Sequence, residues 1–231
     1  MEIICTENIY KIYNQGRNEV KALDGVSLSV MQGEFLAVMG QSGSGKSTLL
    51  NILGCLDVPT CGRYFLFGKS SDTFDEEELS GIRNHRIGFV FQNYNLIPSL
   101  SAVENVELPL LYRGVEYEQR RKIALEALER VGLSERSEHR PLKMSGGQQQ
   151  RTAIARAIAA DPDILLADEP TGNLDRTSGA EIMNLLTLLN KKGKTVIIIT
   201  HDPAVAAYAN RIVTISDGKI AADERSAYEA G

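Results

Sequence analysis

Gly40-Gln41-Ser42-Gly43-Ser44-Gly45-Lys46-Ser47-Thr48 fits the phosphate-binding pattern G-x-x-x-x-G-K-[ST]. The strand-like run Gly33-Glu34-Phe35-Leu36-Ala37-Val38-Met39 precedes it, and Ser47-Thr48-Leu49-Leu50-Asn51-Ile52-Leu53 continues it as a helix. Glycines let such a loop curl until successive N–H groups point inward. The helix starting near Lys46 adds roughly half a positive charge at its N-terminus. That field suits a triphosphate. Lys46 is expected to reach the β- and γ-phosphates, Ser47 to offer its hydroxyl to Mg²⁺, and Thr48 to add a phosphate contact.

Outward from this loop the chain reads as alternating strands and helices. Before it, Ile3-Ile4-Cys5, Ile9 to Tyr13, Val20 to Leu23 and Val26 to Val30 predict short strands, with a turn at Asn14-Gln15-Gly16. Arg63 to Gly68 is a further member of this antiparallel layer, and Ser70 to Asn84 is acidic and predicted to be exposed. Arg86 to Phe91 predicts a buried strand ending on Gln92. From Asn93 to Asp161 the pattern turns helical, with Ile123, Ala124, Ala127, Leu128 and Val131 recurring at three and four. Apolar runs return at Pro162 to Asp168 and Thr195 to Thr200, with a crossover helix over Ser178 to Asn190, and a further strand is predicted at Arg211 to Ile215. Asp223 to Gly231 is polar and predicted to fray.

Composition narrows the class. With 231 residues, 43% of them hydrophobic, the chain can bury one sizeable core. A net charge of -5 and the absence of tryptophan argue against nucleic acid as a partner. The three cysteines show no C-x-x-C spacing, so neither a disulfide framework nor a zinc site is indicated. No apolar run reaches the length of a bilayer span, and the first residues lack a signal-peptide pattern, which predicts an intracellular protein.

Two further stretches carry chemistry. Asp168-Glu169-Pro170 ends an apolar strand, so two carboxylates fall at the carboxyl edge of a parallel sheet. Asp168 is placed to hold Mg²⁺, and Glu169 to take a proton from an attacking water. His201 follows the next strand and is read as a hydrogen-bonding partner for the γ-phosphate or that water, whereas His85 and His139 are read as surface residues. Ser145-Gly146-Gly147-Gln148-Gln149-Gln150-Arg151 predicts a small-residue turn ahead of the helix Thr152 to Ile158, either a second anion-binding helix start or an ordinary cap at Ser145. Two such helix starts point to one nucleotide held by both, which a symmetric dimer allows.

In order, Gly40 to Thr48, Gln92, Ser145 to Gln148, Ile164 to Glu169, Asn173-Leu174-Asp175 and His201 resemble the nucleotide-binding subunit of ATP-binding cassette transporters over nearly the whole chain. The resemblance implies an α/β fold: a P-loop NTPase core with a mainly parallel sheet, an N-terminal antiparallel β layer and an inserted helical subdomain. As one cassette domain over 1–231, the β layer and core would take 1–92 and 160–231, and the helical subdomain about 93–159. Tyr13 would stack on adenine with Val20 nearby, and Gln92 would touch Mg²⁺ and the attacking water. Ser145, Gly146, Gly147 and Gln148 would contact ATP bound to the opposite subunit, with Asp175 supporting the dimer contact.

The resemblance also implies a homodimer around two ATP molecules, sited on the cytoplasmic face of the membrane through an integral membrane permease. The segment from Gln92 to Pro109 is the expected contact with that permease. Phe91 to Pro98, Glu104 to Leu110 and Gly172 to Asp175 resemble the branch of lipoprotein-releasing, macrolide-exporting and cell-division ATPases. Its implied activity is ATP hydrolysis that drives export or extraction of a hydrophobic or peptide-like substrate. A transmitter that signals through its membrane partner without transport would use the same motifs. A soluble cassette of ribosome or DNA fits less well, since such proteins carry two cassettes or a long coiled coil.

Overall fold

The computed structural model describes residues 1–14, 16 and 18–225. Gln15 of the expected turn, and 226–231 of the polar end, lie outside the described residues. In chain order the first elements are β1 (Glu2–Tyr13), β2 (Val20–Met31), β3 (Phe35–Met39), α1 (Lys46–Leu53), β4 (Cys61–Leu66), β5 (Lys69–Ser70) and α2 (Glu76–Arg86). There follow β6 (Ile87–Val90), α3 (Ala102–Tyr112), α4 (Tyr117–Arg130), α5 (Gly146–Ala159), β7 (Ile164–Asp168) and α6 (Arg176–Lys191). The chain continues with β8 (Thr195–Thr200), α7 (Pro203–Ala206), β9 (Arg211–Ser216) and β10 (Lys219–Arg225). The class is α/β, as expected.

Two compact units are formed, one from Met1–Ser80 with Asn190–Gly231 and the other from Gly81–Leu189. The first holds an antiparallel sheet in the order β2-β1-β4-β5. Four short strands were expected before the phosphate loop, yet two long ones form. Asn8 (φ 46°) and Gly25 (φ 78°) take left-handed backbone. The register slips between Thr6 and Ile9 and again between Ile9 and Tyr10, so each strand bulges and continues. The same unit carries β3 between β8 and β9, parallel to both, with β10 antiparallel on β9. Asp223 to Arg225, the first residues of the stretch expected to fray, belong to β10. β3 is apolar throughout and β8 is apolar between Thr195 and Thr200, and both are buried except at Met39, which explains their hydrophobic runs.

Arg211 fastens this unit internally. Its guanidinium donates to both Asp223 oxygens at 2.7 and 2.6 Å, to the Ser29 carbonyl at 2.7 Å and to Glu34 Oε1 at 3.1 Å. The hydrogen bonds to Asp223 raise the guanidinium's pKa above its ordinary value despite burial.

The second unit pairs β6 with β7 in parallel and packs α3, α4 and α5 on one another, with α5 also against β6. The helical stretch expected at 93–159 thus shares a unit with two strands. The recurring apolar residues of α4 behave as its period requires, with Ala124, Ala127 and Leu128 buried. Ser101 caps α3 reciprocally with Glu104. Glu107, on the same helix, takes ion pairs from Arg120 at 3.3 Å and Arg121 at 3.1 Å. The exposed acidic stretch after β5 contains α2, none of whose residues is buried. Among the described residues, no helix is long and apolar enough to cross a membrane.

Candidate active site

In the first unit, Met39 at the end of β3 is paired with Thr200 at the end of β8. Gly40 and His201 therefore leave neighbouring parallel strands at their carboxyl ends, the edge at which open α/β sheets bind ligands. A Cβ on Gly40 would stand 2.3 Å from the Ile215 carbonyl oxygen and 2.6 Å from Ser44 Oγ, so only glycine fits. Gly45 takes φ 104°, and a Cβ there would meet the Ala22 carbonyl oxygen at 2.2 Å. As the residue before α1, Gly45 supplies no side-chain acceptor to the helix, which leaves the first N–H groups to a ligand.

Lys46 is 7% exposed, and its Nζ donates to the Gly40 and Gln41 carbonyls at 2.8 and 2.7 Å, which holds the ammonium over the loop. Ser44 Oγ is buried with no hydrogen-bond partner. A phosphate oxygen supplies the acceptor this hydroxyl lacks, so the loop suits a phosphorylated ligand. Behind it, the Ser44 carbonyl accepts from Gly218 N–H at 3.1 Å. Ser47 is exposed on the first turn of α1, and Gln41, Ser42 and Gly43 are exposed along the loop. Thr48 is half-buried.

His201 is exposed and precedes Asp202, whose carboxylate accepts from Ala204 N–H at 2.8 Å to cap α7. Tyr13 faces Val20 across the β1–β2 pair, and both side chains are exposed. The Tyr13 hydroxyl donates to Asp57 Oδ2 at 3.0 Å, and Lys11, 5.2 Å from the ring centre, donates to Asp57 Oδ1 at 2.5 Å. Burial acts to raise the Asp57 carboxyl, but hydrogen bonds from Lys11, the Val58 N–H and Tyr13 together hold it below its ordinary value. The ring of Tyr13 is thereby fixed with one edge on Asp57.

In the second unit, the parallel pair β6 and β7 brings Gln92 and the Asp168-Glu169 carboxylates to adjacent strand ends. Glu169 has left-handed backbone, φ 44°, and its carbonyl accepts from Gly172 N–H at 3.0 Å to close a turn. A Cβ on Gly172 would lie 2.7 Å from Gln92 Nε2, so the Gln92 amide rests against that turn. Asn173 Nδ2 donates to the Gln92 carbonyl and to Asn93 Oδ1, each at 3.0 Å.

The stretch 145–151 shows the cap that was one of its two expected readings, but the turn expected ahead of Thr152 is corrected by the structure. Helix α5 already begins at Gly146. Ser145 is its cap: Ser145 Oγ accepts from Gln148 N–H at 3.3 Å, and Gln148 Oε1 accepts from Ser145 N–H at 3.0 Å. The glycines misled the reading because they permit close packing here rather than breaking the helix. A Cβ on Gly146 would stand 2.9 Å from the Tyr94 hydroxyl, and one on Gly147 would stand 3.1 Å from Ser178 Oγ. Asp175 caps α6, accepting from Thr177 and Ser178 N–H at 3.0 Å and from Ser178 Oγ at 2.7 Å. These bonds, first the one from the Ser178 hydroxyl, hold its carboxyl below the ordinary range.

Sequence reading did not single out Arg156, Asn105 or Gln150. Arg156 donates to the Tyr94 and Asn95 carbonyls at 2.9 and 2.5 Å, and both of those residues have left-handed backbone. Asn105 fastens the segment Ile97 to Ser101. Nothing in the sequence separates Gln150 from its neighbour Gln149. Among the described residues, no group of three or more His, Cys, Asp or Glu could hold a metal ion.

A strand-ended phosphate cradle, a carboxylate pair after a second strand and a capped glycine-rich helix start define a nucleoside triphosphatase of the cassette type. Residues 23–172 match the family described as ABC transporter, and the chain belongs to that family. It is 53% identical over 218 residues to a macrolide export ATP-binding/permease protein, MacB, of Chlorobaculum tepidum, covering 94% of this chain and 33% of that protein. It thus spans about one third of the length of such relatives. It is also 52% identical to the uncharacterized ABC transporter ATP-binding protein YvrO of Bacillus subtilis, covering 96% of this chain and 97% of that one. Among solved structures it resembles a dimeric post-hydrolysis state of the ATP-binding cassette MJ0796 bound to ADP and Pi. The TM-score is 0.89 at 47% identity, covering 96% of this chain and 98% of that one.

Proposed function

We propose that this chain powers a membrane permease that exports or extracts a hydrophobic or peptide-like substrate. The observation that carries this reading is the identity with macrolide export proteins in which the cassette is about one third of an ATP-binding/permease chain. In this reading the permease is received near Gln92 to Pro109, and it keeps the cassette at the cytoplasmic face of the membrane. Ile97, 42% exposed in that segment, supplies apolar surface for the contact.

Two copies face each other around two ATP molecules, as isologous symmetry allows. The phosphate loop from Gly40 to Thr48 binds the triphosphate, Tyr13 and Val20 take the adenine, and Ser145 to Gln148 with Asp175 serve the nucleotide of the other copy. Glu169 accepts the proton of the attacking water, Gln92 orients that water, and His201 donates to the γ-phosphate. Ser47, Gln92 and Asp168 offer hydroxyl, amide and carboxylate oxygens, a set that suits Mg²⁺ shared with phosphates; when bound it neutralises phosphate charge.

The test uses tagged protein carrying Glu169→Gln, incubated with ATP and Mg²⁺ in gently solubilised membranes and purified by its tag. Recovery of one integral membrane protein at a fixed ratio is the expected result. Recovery of ribosomes or DNA-bound proteins, with no membrane protein, overturns the proposal.

A further inference from the structure

We infer that Gln150 is a positioning residue for Glu169, tying the capped start of α5 to the turn that aims the general base. The inference rests on the reading of Glu169 as that base. Gln150 is 0% exposed, and its Nε2 donates to the Pro170 carbonyl at 2.7 Å, while its Oε1 is buried with no hydrogen-bond partner. An amide kept dry with only its donor end satisfied is a poor choice for packing, since leucine or methionine fills similar space without the orphaned oxygen. Its distinguishing service is the hydrogen bond to Pro170.

That bond falls where the backbone needs it. Glu169 combines two disfavoured conditions, a φ of 44° for a residue with a side chain and a position before proline. Such geometry persists only where the surroundings over-determine it. Pro170 has no N–H, and the turn is closed by Gly172 N–H on the Glu169 carbonyl at 3.0 Å and by Gln150 on the Pro170 carbonyl. Gln150 lies on α5, the helix that Ser145 caps, so a displacement of the helix start by a nucleotide carries the Pro170 carbonyl with it. Glu169 is thereby aimed only when α5 is seated.

The test measures steady-state ATP hydrolysis and ATP affinity of the full chain with Gln150→Leu, Gln150→Met and Gln150→Glu, alongside Glu169→Gln and the double variant Glu169→Gln/Gln150→Leu. With the base misaimed, kcat falls about 10- to 100-fold in the Leu and Met variants while ATP affinity stays within about threefold. Gln150→Leu adds no further loss on the Glu169→Gln background, because both act through one group. In Gln150→Glu, activity recovers as pH is lowered, since the neutral carboxyl donates to Pro170 as the amide does. The inference is overturned if kcat of the folded Leu or Met variant stays within twofold of the parent, if affinity falls in step with kcat, or if the losses add. Should Gln150→Leu fail to fold, the Met and Glu variants decide by the same criteria. Normal turnover in Glu169→Gln instead rejects the base assignment itself; loss there with normal Gln150 variants rejects only the positioning role.

Discussion

Replacing Asn105 with leucine, a side chain of the same branching, removes the polar staple under the segment expected to meet the permease. Asn105 is 0% exposed; its Oδ1 accepts from Ile97 N–H at 2.7 Å, and its Nδ2 donates to the carbonyls of Ile97, Leu100 and Ser101 at 3.2, 3.3 and 2.9 Å. At a net contribution of about 1 kcal/mol per hydrogen bond, and allowing for the apolar burial leucine recovers, the loss is about 2–4 kcal/mol. Since about 1.4 kcal/mol is a factor of ten, the Ile97 amide should exchange its hydrogen about 30- to 1,000-fold faster in the variant. Residue-resolved hydrogen exchange measures this directly, with amides of β3 and β8 as internal controls. Ile97 protection within threefold of the parent, in a folded variant, would refute the claim that Asn105 orders this segment.

Asp223 should govern part of the acid limb of stability. Hydrogen bonds from Arg211 hold its carboxyl below the ordinary value, so its contribution is complete above the unfolded-state pKa of about 3.9 and fades as pH falls through the lower folded value. Urea unfolding of Asp223→Asn should show lower stability at pH 7 and a flatter decline below about pH 4; curves overlaying the parent at both ends would contradict this. Hydrolysis assays separate the roles in the site. Glu169→Gln should keep ATP affinity and lose roughly 10²- to 10⁴-fold in turnover, whereas Lys46→Ala should lose affinity itself; normal binding and turnover in Lys46→Ala would remove the cradle assignment.

Strand β8 was legible to the residue because six consecutive apolar or β-branched residues, all buried, need no partner information to read. The phosphate loop was legible because its glycines answer to close contacts, with Ile215 and Ala22 carbonyls where side chains would be. Bulged strands were not, since Asn8 and Gly25 look like breaks until cross-strand pairing shows the chain continuing past them. For 145–151 the local signal pointed the wrong way: paired glycines are poor helix formers, and tertiary contacts to Tyr94 and Ser178 are what make small residues necessary there. Gln150, Arg156 and Asn105 act through long-range hydrogen bonds to backbone carbonyls, and a carbonyl has no residue identity for a sequence to display. Tyr13 sits between these cases, since its position opposite Val20 follows from strand pairing, whereas its tie to Asp57 does not.

The central claim is that ATP joins two copies of this chain through Ser145 to Gln148, and sedimentation velocity of Glu169→Gln with and without ATP tests it most directly. The account predicts a monomer without nucleotide, a dimer with ATP, and no ATP-driven dimer when Ser145→Arg is added. A Glu169→Gln protein that binds ATP and stays monomeric at every accessible concentration would contradict it.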